Sequence, residues 1–104
     1  MDIFSALSEP TRRRILEMLS QTEHLTASEI SDKFDVSAAA ISQHLKVLRE
    51  ANLVTVEKRA QQRLYKLKPN GMTELESWVN QMTQVWKHRF DRLEQVLEAE
   101  KKKL

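Results

Sequence analysis

Cysteine is absent from the 104 residues, while glycine occurs once and proline twice. Without cysteine the chain has no disulfide, thiolate metal site or cysteine nucleophile, and a reducing, cytoplasmic environment is expected. A single glycine argues against a turn-rich all-β fold and against glycine-rich phosphate-binding loops. No apolar run approaches the roughly 20 residues of a membrane span. The N-terminus has no basic segment followed by an apolar one, so neither membrane association nor secretion is expected.

Catalytic patterns are missing as well. The sequence has no serine elbow and no acidic pair in a predicted cleft, so we expect neither enzymatic activity nor a cofactor. His88 and Asp91 lie three residues apart on the last predicted helix, where they would supply half a zinc site, and a dimer would supply two such pairs. A polar pair of this kind is more typical of a solvated helix face, so no metal site is predicted.

Positive charge is concentrated in one stretch of the chain. The net charge is +2, yet residues 37–68 carry +5, residues 1–36 carry −3 and residues 69–104 carry 0. A local cationic patch on a near-neutral chain is typical of a protein that binds a polyanion. A solvated face rich in lysine gives the same count, so charge alone leaves both interpretations open.

Helix start signals organise the first half of the chain. A short helix is predicted within residues 1–8, and a second begins near Pro10 and ends at about Leu19. Thr26 and Glu29 match a capping box, in which each residue bonds an amide at the start of a third helix.

The third predicted helix presents Ile30 and Phe34 on one face. A tight turn at residues 35–37 follows, and Ser37 then caps a fourth helix that runs to about Ala51. Two short helices joined by about three residues predict a helix-turn-helix.

In the second half of the sequence, the spacing of apolar residues changes from that of strands to that of a helix. Alternating apolar residues over 53–67 predict two strands joined by a basic tip, and residues 69–71 give the strongest turn signal. Apolar residues at 4-3 spacing over 72–103 then predict one amphipathic helix of about 30 residues, or about 45 Å. The predicted fold class is mostly α with a small β-hairpin: a winged helix-turn-helix over residues 9–68, flanked by an N-terminal and a C-terminal helix, in one domain spanning 1–104.

The fourth helix is the candidate recognition helix. Ile41, Leu45 and Leu48 share one face and must point inward. The second helix of a helix-turn-helix lies in the major groove of DNA, where Gln43 can pair with adenine and Lys46 with guanine or phosphate. A plain solvated helix face is the alternative interpretation. The predicted DNA contacts of this helix are Ser37, Ala38, Ala39, Ser42, Gln43, His44 and Lys46.

The hairpin tip is the candidate wing, whose side chains would lie along phosphates or in the minor groove. A charged loop that only protects a strand edge from aggregation is the alternative. The predicted contacts of the wing are Arg59, Gln61, Gln62 and Arg63.

Four other polar residues have less certain roles. His44 lies about 60° from the core direction of its helix, so it is either a boundary histidine bonded to backbone, a phosphate contact, or both. Arg12, Arg13 and Arg14 point about 100° apart on one helix, so at most one or two of them can face phosphate.

Several segments together resemble the ArsR/SmtB-type bacterial transcriptional regulators, in the branch without metal-binding cysteines. They are residues 7–16, 25–30, 37–54 and 63–67, followed by the tryptophan-containing last helix. The resemblance covers nearly the whole chain, and the block around the fourth helix is highly specific. It implies a homodimeric winged helix that represses transcription by occupying double-stranded, palindromic operator DNA.

The resemblance also implies that the first and last helices form the dimer interface. The amphipathic stripe agrees, because a small monomer cannot cover a helix of about 45 Å. A ligand pocket along the same aromatic residues is the alternative, although stripes at helical spacing are usually core or interface. The predicted interface residues are Ile3, Phe4, Leu7, Leu75, Trp78, Val79, Met82, Trp86, Phe90 and Leu93.

The chain departs from the family pattern in its turns and its sensing residues. Family members usually have glycine in the wing turn and after the recognition helix, where this chain has Ala60 and Asn52. Asparagine tolerates the left-handed conformation, but Ala60 indicates a different turn shape. The cysteine pairs and the Asp/His sets of the metal sensors are missing, so the effector stays open. The alternative function is a winged-helix module that binds RNA or a protein partner.

Overall fold

A computed structural model describes residues 2–103 of the chain and divides it into two compact units, with the boundary after Met72. Its elements in chain order are α1 Ile3–Leu7, α2 Pro10–Leu19, β1 Leu25–Thr26, α3 Ala27–Ser31, α4 Ala38–Glu50, β2 Val54–Arg59, β3 Gln62–Leu67 and α5 Thr73–Lys102.

The first two helices begin at carboxylate caps. The Asp2 side chain accepts a hydrogen bond from the Ser5 amide at 2.8 Å, and the Glu9 side chain accepts one from the Arg12 amide at 3.1 Å. Pro10 occupies the first turn of α2, where its missing N–H costs nothing. The predicted start and end of α2 are therefore confirmed.

The helix-turn-helix is built from α3 and α4. Both bonds of the predicted capping box form, from the Glu29 amide to the Thr26 hydroxyl and from the Thr26 amide to the Glu29 carboxylate. The Ser37 hydroxyl caps α4 by accepting from the Ala40 amide at 3.1 Å. The end of α3 differs from the prediction, because the chain tightens after Ser31 into bonds between residues three apart. Phe34 therefore lies beyond α3, in the connection to α4.

One apolar core joins these helices to the sheet. Ile41, Leu45 and Leu48 point inward from α4, as their spacing predicts, and each is at most 1% exposed. Burying one such side chain stabilises the fold by about 2 kcal/mol. The largest fully buried side chains are Ile15, Leu19, Ile30, Ile41, Leu45, Leu48, Leu53 and Val54.

The sheet has three antiparallel strands in the order β1-β3-β2. The predicted hairpin is present, with pairs from Val54 opposite Leu67 to Arg59 opposite Gln62. Strand β1, which places Leu25 opposite Tyr65, was not predicted. A strand of two residues is too short to show alternation, so only its pairing with β3 reveals it.

Two turns frame the hairpin. Asn52 follows α4 with φ of 61°, the left-handed conformation that asparagine tolerates. The Gly71 amide donates to the Lys68 carbonyl at 3.0 Å, which confirms the predicted turn at residues 69–71. A Cβ on Gly71 would lie 2.9 Å from the Asn52 carbonyl oxygen, so a larger residue would force these two turns apart.

The tip of the hairpin is a two-residue turn, and its first residue, Ala60, has φ of 55°. A residue with a Cβ is strained there by about 1–2 kcal/mol, whereas glycine is not. We expect Ala60→Gly to raise the free energy of unfolding by about 0.5–1 kcal/mol, after the larger entropy of glycine in the unfolded chain is subtracted. Urea denaturation measures this change. Gln61→Gly is the control and should give no gain, because Gln61 is not in the left-handed region.

The second unit is the helix α5, whose 30 residues agree with the predicted length. None of its residues is buried, and large apolar side chains along it are 44–60% exposed. The Trp86 and Phe90 rings lie 6.0 Å apart on this surface. The exposed residues are Trp78, Val79, Val85, Trp86, Phe90, Leu93, Val96 and Leu97.

Two kinds of feature are absent from residues 2–103. No helix in this range has the length and apolar composition needed to cross a membrane. The same residues bring no three histidine or acidic side chains together as metal ligands.

Candidate nucleic-acid interface

The outward face of α4 presents the polar residues predicted for the major groove. Ser42, Gln43 and Lys46 are exposed on the side away from the buried core residues. Ala38 and Ala39 are exposed in the first turn, next to the Ser37 cap. Small side chains in this turn let the helix backbone approach a surface closely, while the amide and amine project further out.

A cleft of about 210 Å³ lies between α4 and strand β3. Its lining includes residues from both predicted contact regions, the recognition helix and the wing. Arg63 lines this cleft from the wing, across from the residues of α4. Three cations line it, and among residues 2–103 none of them has an acidic partner within 4 Å. The lining residues are Ser42, Gln43, Leu45, Lys46, Arg49, Arg63 and Tyr65.

The sequence analysis did not assign Arg49 and Tyr65 to the site. Arg49 follows Lys46 by three residues and Ser42 by seven, so helical spacing already places it on their flank. Tyr65 is largely buried, at 7% exposure, and it lines the cleft together with residues of α4 that are distant from it in the chain. No local pattern in the sequence indicates that contact.

The wing tip places its predicted residues in different environments. Gln61, Gln62 and Arg63 are exposed around the turn. Arg59 is also exposed, but its Nε donates to the Glu57 carboxylate at 3.3 Å. A solvent-exposed pair of this kind contributes little stability, so a phosphate can compete for the guanidinium.

His44 is half-buried on the other flank of α4. Its Nδ1 lies 3.2 Å from Arg12 Nη1, and its Nε2 lies 3.7 Å from the Glu9 carboxylate. The expectation that a boundary histidine would bond to backbone is therefore corrected, since both partners are side chains of α2 and its cap. A direct phosphate contact by His44 would have to compete with them.

The arginines of α2 also have partners within the protein. Arg12 donates to the Ala6 and Ser5 carbonyls, and Arg13 donates to the Leu7 carbonyl at 2.6 Å. The Arg14 guanidinium lies 4.8 Å above the Phe34 ring, a cation–π contact. These contacts give each arginine a structural role.

Glu9 is held in its charged form. Partial desolvation raises the pKa of Glu9, but the bonds from the Arg12 and Thr11 amides and the nearby positive charge of Arg12 lower it. The resulting pKa lies below the ordinary value of a glutamate. Glu9 is consequently a carboxylate at neutral pH and places a negative charge 3.7 Å from His44 Nε2.

The predicted interface residues differ in how much surface they leave for a partner. Ile3 is only 3% exposed, so its side chain already belongs to the core of the single chain. Leu7, Leu75 and Met82 are half-buried. The remaining predicted residues are 39–60% exposed, and they are Phe4, Trp78, Val79, Trp86, Phe90 and Leu93.

This architecture defines a winged helix-turn-helix, and comparisons with known proteins agree. A family model described as a helix-turn-helix domain matches residues 7–57. The chain is 32% identical over 78 residues to the transcriptional repressor SdpR of Bacillus subtilis, across 75% of this chain and 86% of that protein. It is 33% identical over 84 residues to an arsenic resistance transcriptional regulator of Pseudomonas putida, across 81% and 70% of the two chains.

Solved structures extend the similarity to nearly the whole fold. An ArsR-like transcriptional regulator from a Rhodococcus species superposes with a TM-score of 0.80 at 27% identity, over 93% of this chain and 88% of that one. Another ArsR family transcriptional regulator gives a TM-score of 0.75 at 28% identity, over 82% and 87%. The chain belongs to the ArsR-type winged helix-turn-helix transcriptional regulators. It is a DNA-binding regulator and not an enzyme, as the sequence predicts.

Proposed function

We propose that the protein is a homodimeric repressor that occupies a palindromic operator, with α4 in the major groove and the hairpin as a wing. The observation that carries the proposal is the cleft between α4 and β3, where Lys46, Arg49 and Arg63 have no acidic partner among residues 2–103. Unpaired cations that flank an exposed, polar helix face match the phosphate and base contacts of a recognition helix.

We assign base readout to the exposed face of α4. Gln43 carries the one amide on this face and can bond bidentately to adenine. Ala38 and Ala39 offer only apolar contact, for example to a thymine methyl, and Ser37 and Ser42 can bond phosphate or base. Lys46 reaches guanine or phosphate. Arg59, Gln61, Gln62 and Arg63 of the wing contact the backbone beside the same half-site.

We assign dimerisation to the apolar stripe of α5 together with Phe4 and Leu7 of α1. Large apolar side chains that are 44–60% exposed over one helix form a patch typical of a protein–protein interface. In a two-fold dimer, the two recognition helices meet half-sites about 34 Å apart.

Two substitutions, one on α4 and one on the wing, separate the readout of base sequence from the general attraction to phosphate. We expect Gln43→Ala to relax the preference at one base pair of each half-site, at a cost of about 1–3 kcal/mol for the preferred base. Arg63→Ala should weaken binding to all duplexes about equally. Selection of bound DNA from a random pool, followed by titration of selected and scrambled duplexes, measures both effects.

The same titrations test the alternative function. If Gln43→Ala leaves the selected sequence unchanged, Gln43 does not read bases. If the wild-type protein prefers single-stranded or duplex RNA to every DNA pool, the chain is an RNA-binding module and not a repressor. Binding to neither nucleic acid would leave a protein partner as the ligand of the cleft.

A further inference from the structure

We propose that Arg12 and His44 are positioning residues that fix the recognition helix to α1, so that the geometry of the dimer is transmitted to the DNA-reading surface. The inference rests on the proposed function. Arg12 and His44 lie outside the cleft that is proposed to contact DNA. The Arg12 guanidinium contacts both α1 and α4.

Arg12 holds the end of α1. Its Nε donates to the Ala6 carbonyl at 2.7 Å, and its Nη2 donates to the Ser5 carbonyl at 3.1 Å. The carbonyls in the last turn of a helix have no partner within the helix. The Ser5 carbonyl also accepts from the Ser8 amide and hydroxyl, whereas the Ala6 carbonyl accepts from Arg12 of α2. Arg12 therefore ties the end of α1 to α2.

The third arm of the same guanidinium reaches α4. Arg12 Nη1 lies 3.2 Å from His44 Nδ1, and the two residues are 32 positions apart in the chain. Arginine has no acceptor, so Nδ1 must accept and the ring proton sits on Nε2. That nitrogen faces Glu9 at 3.7 Å, and the same carboxylate oxygen accepts from the Arg12 amide. Nδ1 is thereby bonded to Arg12, and Nε2 lies next to a negatively charged neighbour.

The bridge lies on the flank of α4 opposite the wing. Removing it leaves Gln43, Lys46 and Arg49 in place on the DNA-facing side, but frees α4 to turn relative to α1. A single half-site tolerates such a rotation, since only one helix has to enter one groove. Two half-sites joined by a rigid spacing do not, because both helices must be aligned at the same time.

The experiment compares a duplex carrying two half-sites with a duplex carrying one. We expect His44→Phe and Arg12→Gln each to weaken binding to the two-site duplex roughly tenfold, within the range usual for coupled sites. Binding to the one-site duplex should change less than twofold. The double variant should lose no more than either single variant, because both remove the same link. His44→Asn, which keeps an acceptor close to the Nδ1 position, should retain most of the affinity.

Arg13→Gln is the matched control. Arg13 lies beside Arg12 and bonds the Leu7 carbonyl at 2.6 Å, but no bond joins it to α4. The same loss of charge should therefore leave the ratio of two-site to one-site affinity unchanged. Circular dichroism melts of all variants check that each one folds.

Nitrogen NMR of the wild-type ring gives a second test that needs no variant. We expect the neutral His44 ring to carry its proton on Nε2 and to lose this preference in Arg12→Gln. The proposal is overturned by a proton on Nδ1, by equal losses on both duplexes, or by additive effects in the double variant. Failure of the wild type to bind two-fold DNA would instead contradict the proposed function, whatever the state of the bridge.

Discussion

Trp86→Glu is expected to convert the proposed dimer to a monomer at micromolar concentration and to weaken binding to the proposed operator by at least a hundredfold. Trp86 is 57% exposed in the single chain and stacks near Phe90 in the middle of the apolar stripe. In a two-fold interface each substitution acts twice, and truncation of a central tryptophan typically costs about 2–4 kcal/mol per copy. A carboxylate placed in an apolar seam adds the cost of desolvating a charge.

Sedimentation equilibrium and operator titration measure the two effects together. Gln84→Glu is the control, because it adds the same charge to α5 about 160° around the helix from Trp86. This variant should stay dimeric and bind DNA as the wild type does. A wild-type protein that sediments as a monomer at micromolar concentration contradicts the proposed interface, and so does a fully dimeric Trp86→Glu protein.

The second large effect is expected for the double variant Arg49→Ala/Arg63→Ala. Both arginines line the cleft between α4 and β3, from opposite sides. If each contacts one phosphate, a dimer loses four contacts, and at about 0.9 per contact the slope of log affinity against log salt falls by about 3.6. At about 1 kcal/mol for each contact, affinity falls roughly a hundredfold to a thousandfold at low salt.

Titration at several salt concentrations separates this loss from a folding defect. Lys101→Ala/Lys102→Ala removes the same charge from the end of α5 and should keep the wild-type slope. The pattern of sequence preference should survive in the double arginine variant, since phosphate contacts carry no sequence information. An unchanged slope would remove Arg49 and Arg63 from the interface.

The parts of the fold that the sequence predicts are those determined by neighbours along the chain. Thr26, Glu29 and Ser37 cap helices through amides three residues away, and these bonds form as predicted. The inward face of α4 and the presence of the hairpin follow from spacing alone. The winged helix-turn-helix could be assembled from these local patterns, because their order along the chain fixes which elements pack together.

The parts that the sequence does not predict depend on contacts between distant residues. β1 is a strand only because β3 lies beside it, and Tyr65 reaches the cleft only through the packing of the sheet. Helical spacing places His44 at the boundary between the core and the exposed face of α4, but nothing near it in the chain indicates Arg12 as its partner. In the candidate site, the exposed residues of α4 were predictable from helical period, whereas the partners of the side chains on each flank were not.

The exposure of α5 has a consequence for the life of the protein in the cell. Isolated helices are marginal in water, and most helices gain their stability from a covered apolar face. In the proposed dimer the partner supplies that cover, so the stability of residues 73–102 rises with protein concentration. A chain without a partner then leaves the apolar face of α5 exposed, and proteases and chaperones recognise such surfaces. If the proposed dimer forms, dilution increases the turnover of the protein, because a newly made chain persists only once it has bound a second copy.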